Sequence, residues 1–282
     1  MNEAALELLD SHTCFGGIAQ RYQHASTSCR APMRFSVFIP PHQNGDKLPV
    51  VTFLAGLTCT DETFMIKAGA QRYAAELGLI LVAPDTSPRN TGIPGEDKDW
   101  DFGSGAGFYV DATEAPWVNH YQMHRYVTAE LPALITQNFP MSSQRQGICG
   151  HSMGGHGALV CGLRHPEQYQ SISAFAPVSA PSQTPWGHKA FSQYLGPDQK
   201  LWRDYDGLEL LQKSAGSNHT PILIDQGRDD PFLEKELKTE WLGALRDDRL
   251  TLRWQAGYDH SYFFIASFIG EHLAFHAQTL RG

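Results

Sequence analysis

The chain has 282 residues, 41% of them hydrophobic and 18% charged, with 22 Lys and Arg against 30 Asp and Glu and a formal net charge of −8. That length and apolar share suit a large buried core, while scattered basic residues in an acidic chain exclude the clustered cationic footprint of a nucleic-acid or anionic-membrane binder. The five cysteines, Cys14, Cys29, Cys59, Cys149 and Cys161, are odd in number and lack C-x-x-C spacing, which argues against a disulfide framework and against a thiol metal site.

The N-terminus, MNEAALELLDSHTCF, carries acids where a signal peptide carries positive charge. No apolar run approaches the roughly 20 residues of a membrane span, so a soluble, cytoplasmic protein is expected. Antiparallel strands are expected within the first 40 residues, where MRFSVFIP (33–40) alternates like a half-buried strand. PVVTFLAG (49–56) is a continuous apolar run, followed by a helical stretch over about 62–77 closed by Gly78. LILVAPD (79–85) is the next strand, and a second helical stretch covers about 119–138. RQGICGH (145–151), a helix over 153–164, SISAFAP (171–177), PILIDQG (221–227), a helix over about 232–246 and a last helix over 261–280 complete the alternation.

Continuous apolar runs suit central parallel strands buried on both faces. Strand and helix alternate from about residue 49 onward, which predicts an α/β fold: a mostly parallel sheet with helices on both faces and antiparallel N-terminal strands at one edge. No repeat, low-complexity tract or long linker divides the chain, and residues 1–282 read as one domain. Two long stretches without a regular pattern, 84–118 and 177–205, carry PWVNHY and PWGHKAF and read as functional excursions.

Gly150, Ser152 and Gly154 form G-x-S-x-G where an apolar strand meets a small-residue helix. A sharp turn of that kind projects a serine hydroxyl above the sheet as a nucleophile, and its glycines permit close backbone approach. The serine needs a base oriented by a carboxylate. His151 and His156 are the nearest histidines in sequence, but the side chain of the first points away from Ser152 and the second is carried along the helix side; packing and hydrogen bonding beneath the turn are expected of both. In the order Ser, acid, His, the acid follows a later strand and the histidine lies near the C-terminus. ILIDQGRDDPFL (222–233) offers Asp225, Asp229 and Asp230, of which Asp230 is favoured because it begins the descent from the strand end. His260 in WQAGYDHSYFF (254–264) is the chosen base, and Asp259 reads as a turn or capping residue. The oxyanion donors are expected at the backbone amides of Met153, after the serine, and Leu57, after the early strand.

LAGLTCTDETF, KAGAQRYAAELGLILVAPDTSPR, GAGFYVDAT, GHSMGGHGAL, PWGHKAFSQYLG, ILIDQG followed by DPFL, and GYDHSYFFIASFIGEHLAFHA together resemble the S-formylglutathione hydrolases, or esterase D family. The likeness runs in order over nearly the whole chain. It implies an α/β-hydrolase domain that cleaves S-formylglutathione to glutathione and formate in formaldehyde detoxification, through a formyl-serine, with side activity on small esters. Position by position, it places the nucleophile on Ser152, the acid on Asp230, the base on His260 and the oxyanion amides on Leu57 and Met153. It also places Cys59 near the site, where the thiol makes some relatives sensitive to thiol reagents. The family usually has glutamine where this chain has Pro231, which removes a backbone donor beside the acid.

No cofactor or metal is expected. HYQMH (120–124) pairs two histidines at zinc-compatible spacing but lacks a third ligand. The partner is a small molecule, S-formylglutathione or a small ester, with no nucleic acid and no membrane; a homodimer is the assembly entertained. Because glutathione is anionic, Lys67, Lys189 and nearby Trp186 are the candidate substrate contacts from the regions flanking the site.

Overall fold

A nine-stranded sheet lies at the centre of the computed structural model, which describes residues 6–217 and 219–281. Its first three strands, β1 (Glu7–Cys14), β2 (Gly17–Ala25) and β3 (Pro32–Ile39), form an antiparallel edge. The remaining strands are β4 (Leu48–Leu54), β5 (Ile80–Pro84), β6 (Met141–His151), β7 (Tyr169–Phe175), β8 (Ile222–Gly227) and β9 (Leu250–Gln255). Spatial order is β1-β2-β3-β5-β4-β6-β7-β8-β9, antiparallel between β3 and β5 and parallel from β5 onward. This is the α/β fold expected from the alternation of apolar runs and helical stretches.

Every residue of β5 and β8 is buried, whereas β1 is mostly exposed and β9 half-exposed, as edge strands are. The helices flank both faces. A Cβ on Gly147 would meet His276 of the last helix (Tyr262–Leu280), while the adjacent Ile148 lies against Gly162 of the helix Met153–Arg164. Successive strand residues face opposite sides, so those two helices cover opposite faces. Among the described residues no helix is long and apolar enough to cross a membrane.

Several element boundaries differ from expectation. The stretch 62–77 is two helices, Asp61–Lys67 and Ala70–Leu77, because Gly69 at φ 64 turns the chain left-handed between them. The stretch 232–246 breaks likewise at Lys238, φ 55, leaving a π-turn Leu233–Leu237 and a helix Thr239–Ala244. Of 119–138, only Leu131–Asn138 is a regular α-helix of more than one turn, entered through the π-turn Tyr126–Glu130. The excursion 177–205 holds two helices, Pro185–Tyr194 and Gln199–Trp202. Apolar and aromatic positions there recur too irregularly for periodicity to reveal a helix.

The excursion 84–118 is tied down instead by side chains. Tyr194 Oη accepts from Gly103 N and donates to Ala106 O, both at 3.0 Å, and the Tyr194 ring stacks on Phe102 at 4.6 Å. Phe108 O meets His156 Nε2 at 2.9 Å, and Tyr109 Oη donates to Ala55 O at 2.9 Å.

Burial holds several histidines neutral. It pushes His156 down to about 4, against the pull of Phe108 O, and His276, which bonds Ser171 Oγ and Ser173 Oγ, down to about 3. Burial, helped by Arg164 and His165, lowers His124 to about 3. Unfolded, each protonates near 6.5, so their contribution to stability is whole above that pH and drains away as pH falls toward 4. Asp85, Asp111, Asp206 and Glu236, raised by burial, act in the opposite sense, so the histidine slope is sought from pH 6.5 to 5, the half of the range farther from the ordinary carboxylate value. Unfolding free energy from denaturant titration is expected to fall there by about 1.4 kcal/mol per pH unit for each such histidine. A flat or rising profile would contradict the assignment.

Candidate active site

Ser152 sits between the end of β6 and the helix that starts at Met153, at φ 58 and ψ −120. A side-chain-bearing residue avoids that region unless its surroundings impose it. Here Ser152 N donates to Phe175 O on β7 at 3.0 Å, and its carbonyl accepts from His156 N at 3.0 Å and Val178 N at 3.2 Å. The flanking glycines are required by space: a Cβ on Gly150 would lie 2.0 Å from Gly154 O, and one on Gly154 only 1.9 Å from Leu54 O. The G-x-S-x-G reading of a sharp strand-to-helix turn thus corresponds to the observed backbone.

The loop after β4 passes directly beside the serine. A Cβ on Gly56 would lie 3.2 Å from Ser152 Cβ, so the main chain of Gly56 borders the serine side chain. Thr58 N donates to Gly105 O at 2.9 Å, and Cys59 O accepts from Thr86 Oγ1 at 2.7 Å and Arg89 Nη2 at 3.0 Å, which fixes the loop. Outside the regular elements neither the Leu57 nor the Met153 amide donates to a main-chain carbonyl among the described residues. Met153, as the first helical residue, has no intrahelical acceptor, so neither N–H group is spent on a main-chain carbonyl among the described residues.

His260 lies in the loop between β9 and the last helix, and its Nδ1 meets Asp230 Oδ2 at 2.6 Å. Asp230 Oδ1 accepts from Phe232 N at 2.9 Å and Oδ2 from Gln226 Nε2 at 3.3 Å, so its buried carboxylate is fully engaged. The donor that matters follows Pro231 rather than belonging to it, which is why proline beside the acid leaves this network intact. Gln226 is held in turn by Thr239 Oγ1, which donates to its Oε1 at 2.7 Å. Gln226 and Thr239 escaped the sequence reading; a buried amide four residues before the acid, at a strand end, was their one signal.

The competing acids go elsewhere. Asp225 is gripped by Arg253 through Nε and Nη2, both at 2.6 Å, with His272 at 3.3 Å. Burial opposes its ionisation, but His272 and Arg253 hold its carboxyl below the usual range. Asp229 is exposed, and Asp259 accepts from Ser261 N and Oγ as a turn residue does.

His156 faces Phe108 and Phe191, with rings 6.2 and 6.0 Å away, as its expected supporting role requires. His151 is buried, as expected of it, but its ring packs at a tilt against His260, centroids 4.5 Å apart, and makes no hydrogen bond beneath the turn among the described residues. Among the described residues no hydrogen bond joins the Ser152 hydroxyl to His260; such bonds are commonly long before substrate binds. His151 is the physical link between the two.

Of the candidate substrate contacts, Trp186 is well placed. Its ring lies 4.9 Å from Phe232, which is 5.0 Å from His260, and 5.8 Å from the exposed Trp100. These rings form an aromatic wall from the imidazole to the surface. Lys189 is already paired with Asp101 at 2.5 Å and Asp99 at 3.1 Å. Lys67 has no acidic partner among the described residues and lies 5.8 Å over the Tyr262 ring. Burial pushes the Cys59 thiol up, against the pull of Thr63, Tyr262 and Lys67, which disfavours the reactive thiolate. His120 Nδ1 is spent on Cys29 O at 2.9 Å and the His124 ring lies 5.2 Å from His165, so the HYQMH histidines do not converge.

Residues 26–275 match the model of the family described as "Putative esterase". The chain is 50% identical over 280 residues to an S-formylglutathione hydrolase of Mus musculus, covering 98% of this chain and 99% of that one, and 49% identical to one of Rattus norvegicus over 279 residues with the same coverage. Among solved structures, an S-formylglutathione hydrolase from Agrobacterium tumefaciens superposes with a TM-score of 0.93 at 47% identity, covering 97% of this chain and 99% of that one.

Proposed function

The chain belongs to the S-formylglutathione hydrolase family of esterases, and from that membership we propose that it hydrolyses S-formylglutathione to glutathione and formate, with small carboxylic esters as secondary substrates. The observation that carries the reading is near-full-length likeness at 50% identity joined to an Asp230–His260 pair beside a serine at a strained strand-to-helix turn. In this reading the whole chain acts as one cytoplasmic hydrolase domain.

Ser152 attacks the formyl carbon while His260 Nε2 takes its proton, the Nδ1 proton being held by Asp230. The tetrahedral oxyanion is received by the Leu57 and Met153 amides. Glutathione leaves as a thiolate; with a pKa near the cysteine value of about 8.5 it needs little protonation, so the amides carry most of the first half-reaction. The His260 imidazolium then gives its proton to the departed thiolate; the neutral imidazole takes a proton from water as that water attacks the formyl-serine, and returns it to Ser152 Oγ as formate is released. The peptide arm lies along the aromatic wall of Phe232, Trp186 and Trp100, and Lys67 is the available cation for its carboxylates.

Initial rates with S-formylglutathione and p-nitrophenyl acetate test the substrate. The thioester is expected to lead in kcat/KM by at least about tenfold, or about 1.4 kcal/mol of transition-state preference. Parity, or preference for the ester, would make the chain a general carboxylesterase instead.

A further inference from the structure

His151 is nearly fully buried, yet neither ring nitrogen has a hydrogen-bond partner of good geometry. What the ring offers its surroundings is therefore its planar body rather than a hydrogen bond. One face lies against the His260 ring at 4.5 Å, tilted by 43°, and Tyr262 meets it edge-on at 5.9 Å. Burial and the nearby His260 ring keep it neutral.

The single bond from Nδ1 to Asp230 leaves the His260 imidazole free to swing about that contact. Two rings restrict the swing: Phe232, edge-on at 5.0 Å and 75°, and His151. His151 is also the residue covalently preceding Ser152. We propose that His151 is a positioning residue that registers the loop bearing the base on the turn bearing the nucleophile, its ring set against the His260 ring. The inference rests on Ser152 and His260 being the nucleophile and base.

A displacement of about 1 Å between reacting groups is enough to cost on the order of 10²-fold in rate. His151→Ala is thus expected to lower kcat about 10²-fold on both S-formylglutathione and p-nitrophenyl acetate with KM held within about twofold, and His151→Phe, which keeps the ring, to recover at least about tenfold of that loss. Should the alanine variant fail to fold, His151→Leu, which fills the space without a planar ring, takes its place. Unchanged kcat, a loss confined to KM, or a phenylalanine variant no better than alanine or leucine would each overturn the inference. Ser152→Ala and His260→Ala run alongside: if they retain activity the functional reading fails, whereas their inactivity beside unaffected His151 variants overturns the positioning role alone.

Discussion

Ser152→Ala is expected to lower kcat by about 10⁴- to 10⁶-fold while leaving the fold unchanged. The hydroxyl is the one group able to form the acyl intermediate, and no neighbouring nucleophile stands ready, since burial raises the Cys59 thiol. Alanine tolerates the turn no worse than serine, because the backbone bonds of residue 152 to Phe175, His156 and Val178 are made by main-chain atoms. The residual rate would come from the Leu57 and Met153 amides acting on bound substrate. A serine-directed organophosphonate followed by intact-mass measurement gives a second readout: one adduct on the parent chain and none on the variant. Retained hydrolysis by the alanine variant would remove the serine-hydrolase reading altogether.

Asp230→Asn is expected to lower kcat by about 10³- to 10⁴-fold with substrate affinity little changed. Three donors converge on this carboxylate: Phe232 N on one oxygen, Gln226 Nε2 and His260 Nδ1 on the other. An asparagine has a single acceptor oxygen, which the fixed Phe232 amide claims. Its NH₂ then faces His260 Nδ1, which must give up its proton to accept. The imidazole consequently holds its proton on Nε2 and presents N–H to Ser152 where a lone pair is needed. The same substitution at Asp229, which is exposed and bonds no side chain among the described residues, serves as the control and should leave kcat within about twofold. Equal effects at both positions would show that the acid was misassigned.

These two outcomes differ in how far they could be foreseen from residues alone. The turn at Ser152 was legible because its requirements are local: Gly150 and Gly154 approach backbone at about their own sequence neighbourhood and at the end of β4. The preference for Asp230 over Asp225 rests on position relative to a strand end, and in the structure the Arg253 guanidinium occupies the Asp225 carboxylate inside the sheet. Helix breaks at Gly69 and Lys238 were less legible, because apolar spacing continues across a single left-handed residue.

By itself the sequence determined the alternation that builds the sheet, the strained turn holding Ser152, and the placing of Asp230 and His260 at strand ends, all features set by short-range pattern. Only the tertiary structure decided that Pro231 leaves the hydrogen bonds of Asp230 intact, that Lys189 is paired with Asp99 and Asp101, that Gln226 and Thr239 brace Asp230, and that His151 touches His260. The reason is physical: each depends on which way a side chain leaves a loop or strand end and what it meets there. Those partners range from two residues away, for the amide that bonds Asp230, to the 109 positions separating His151 from His260. Spacing along the chain does not encode such directions; the packing of the loops above the sheet does.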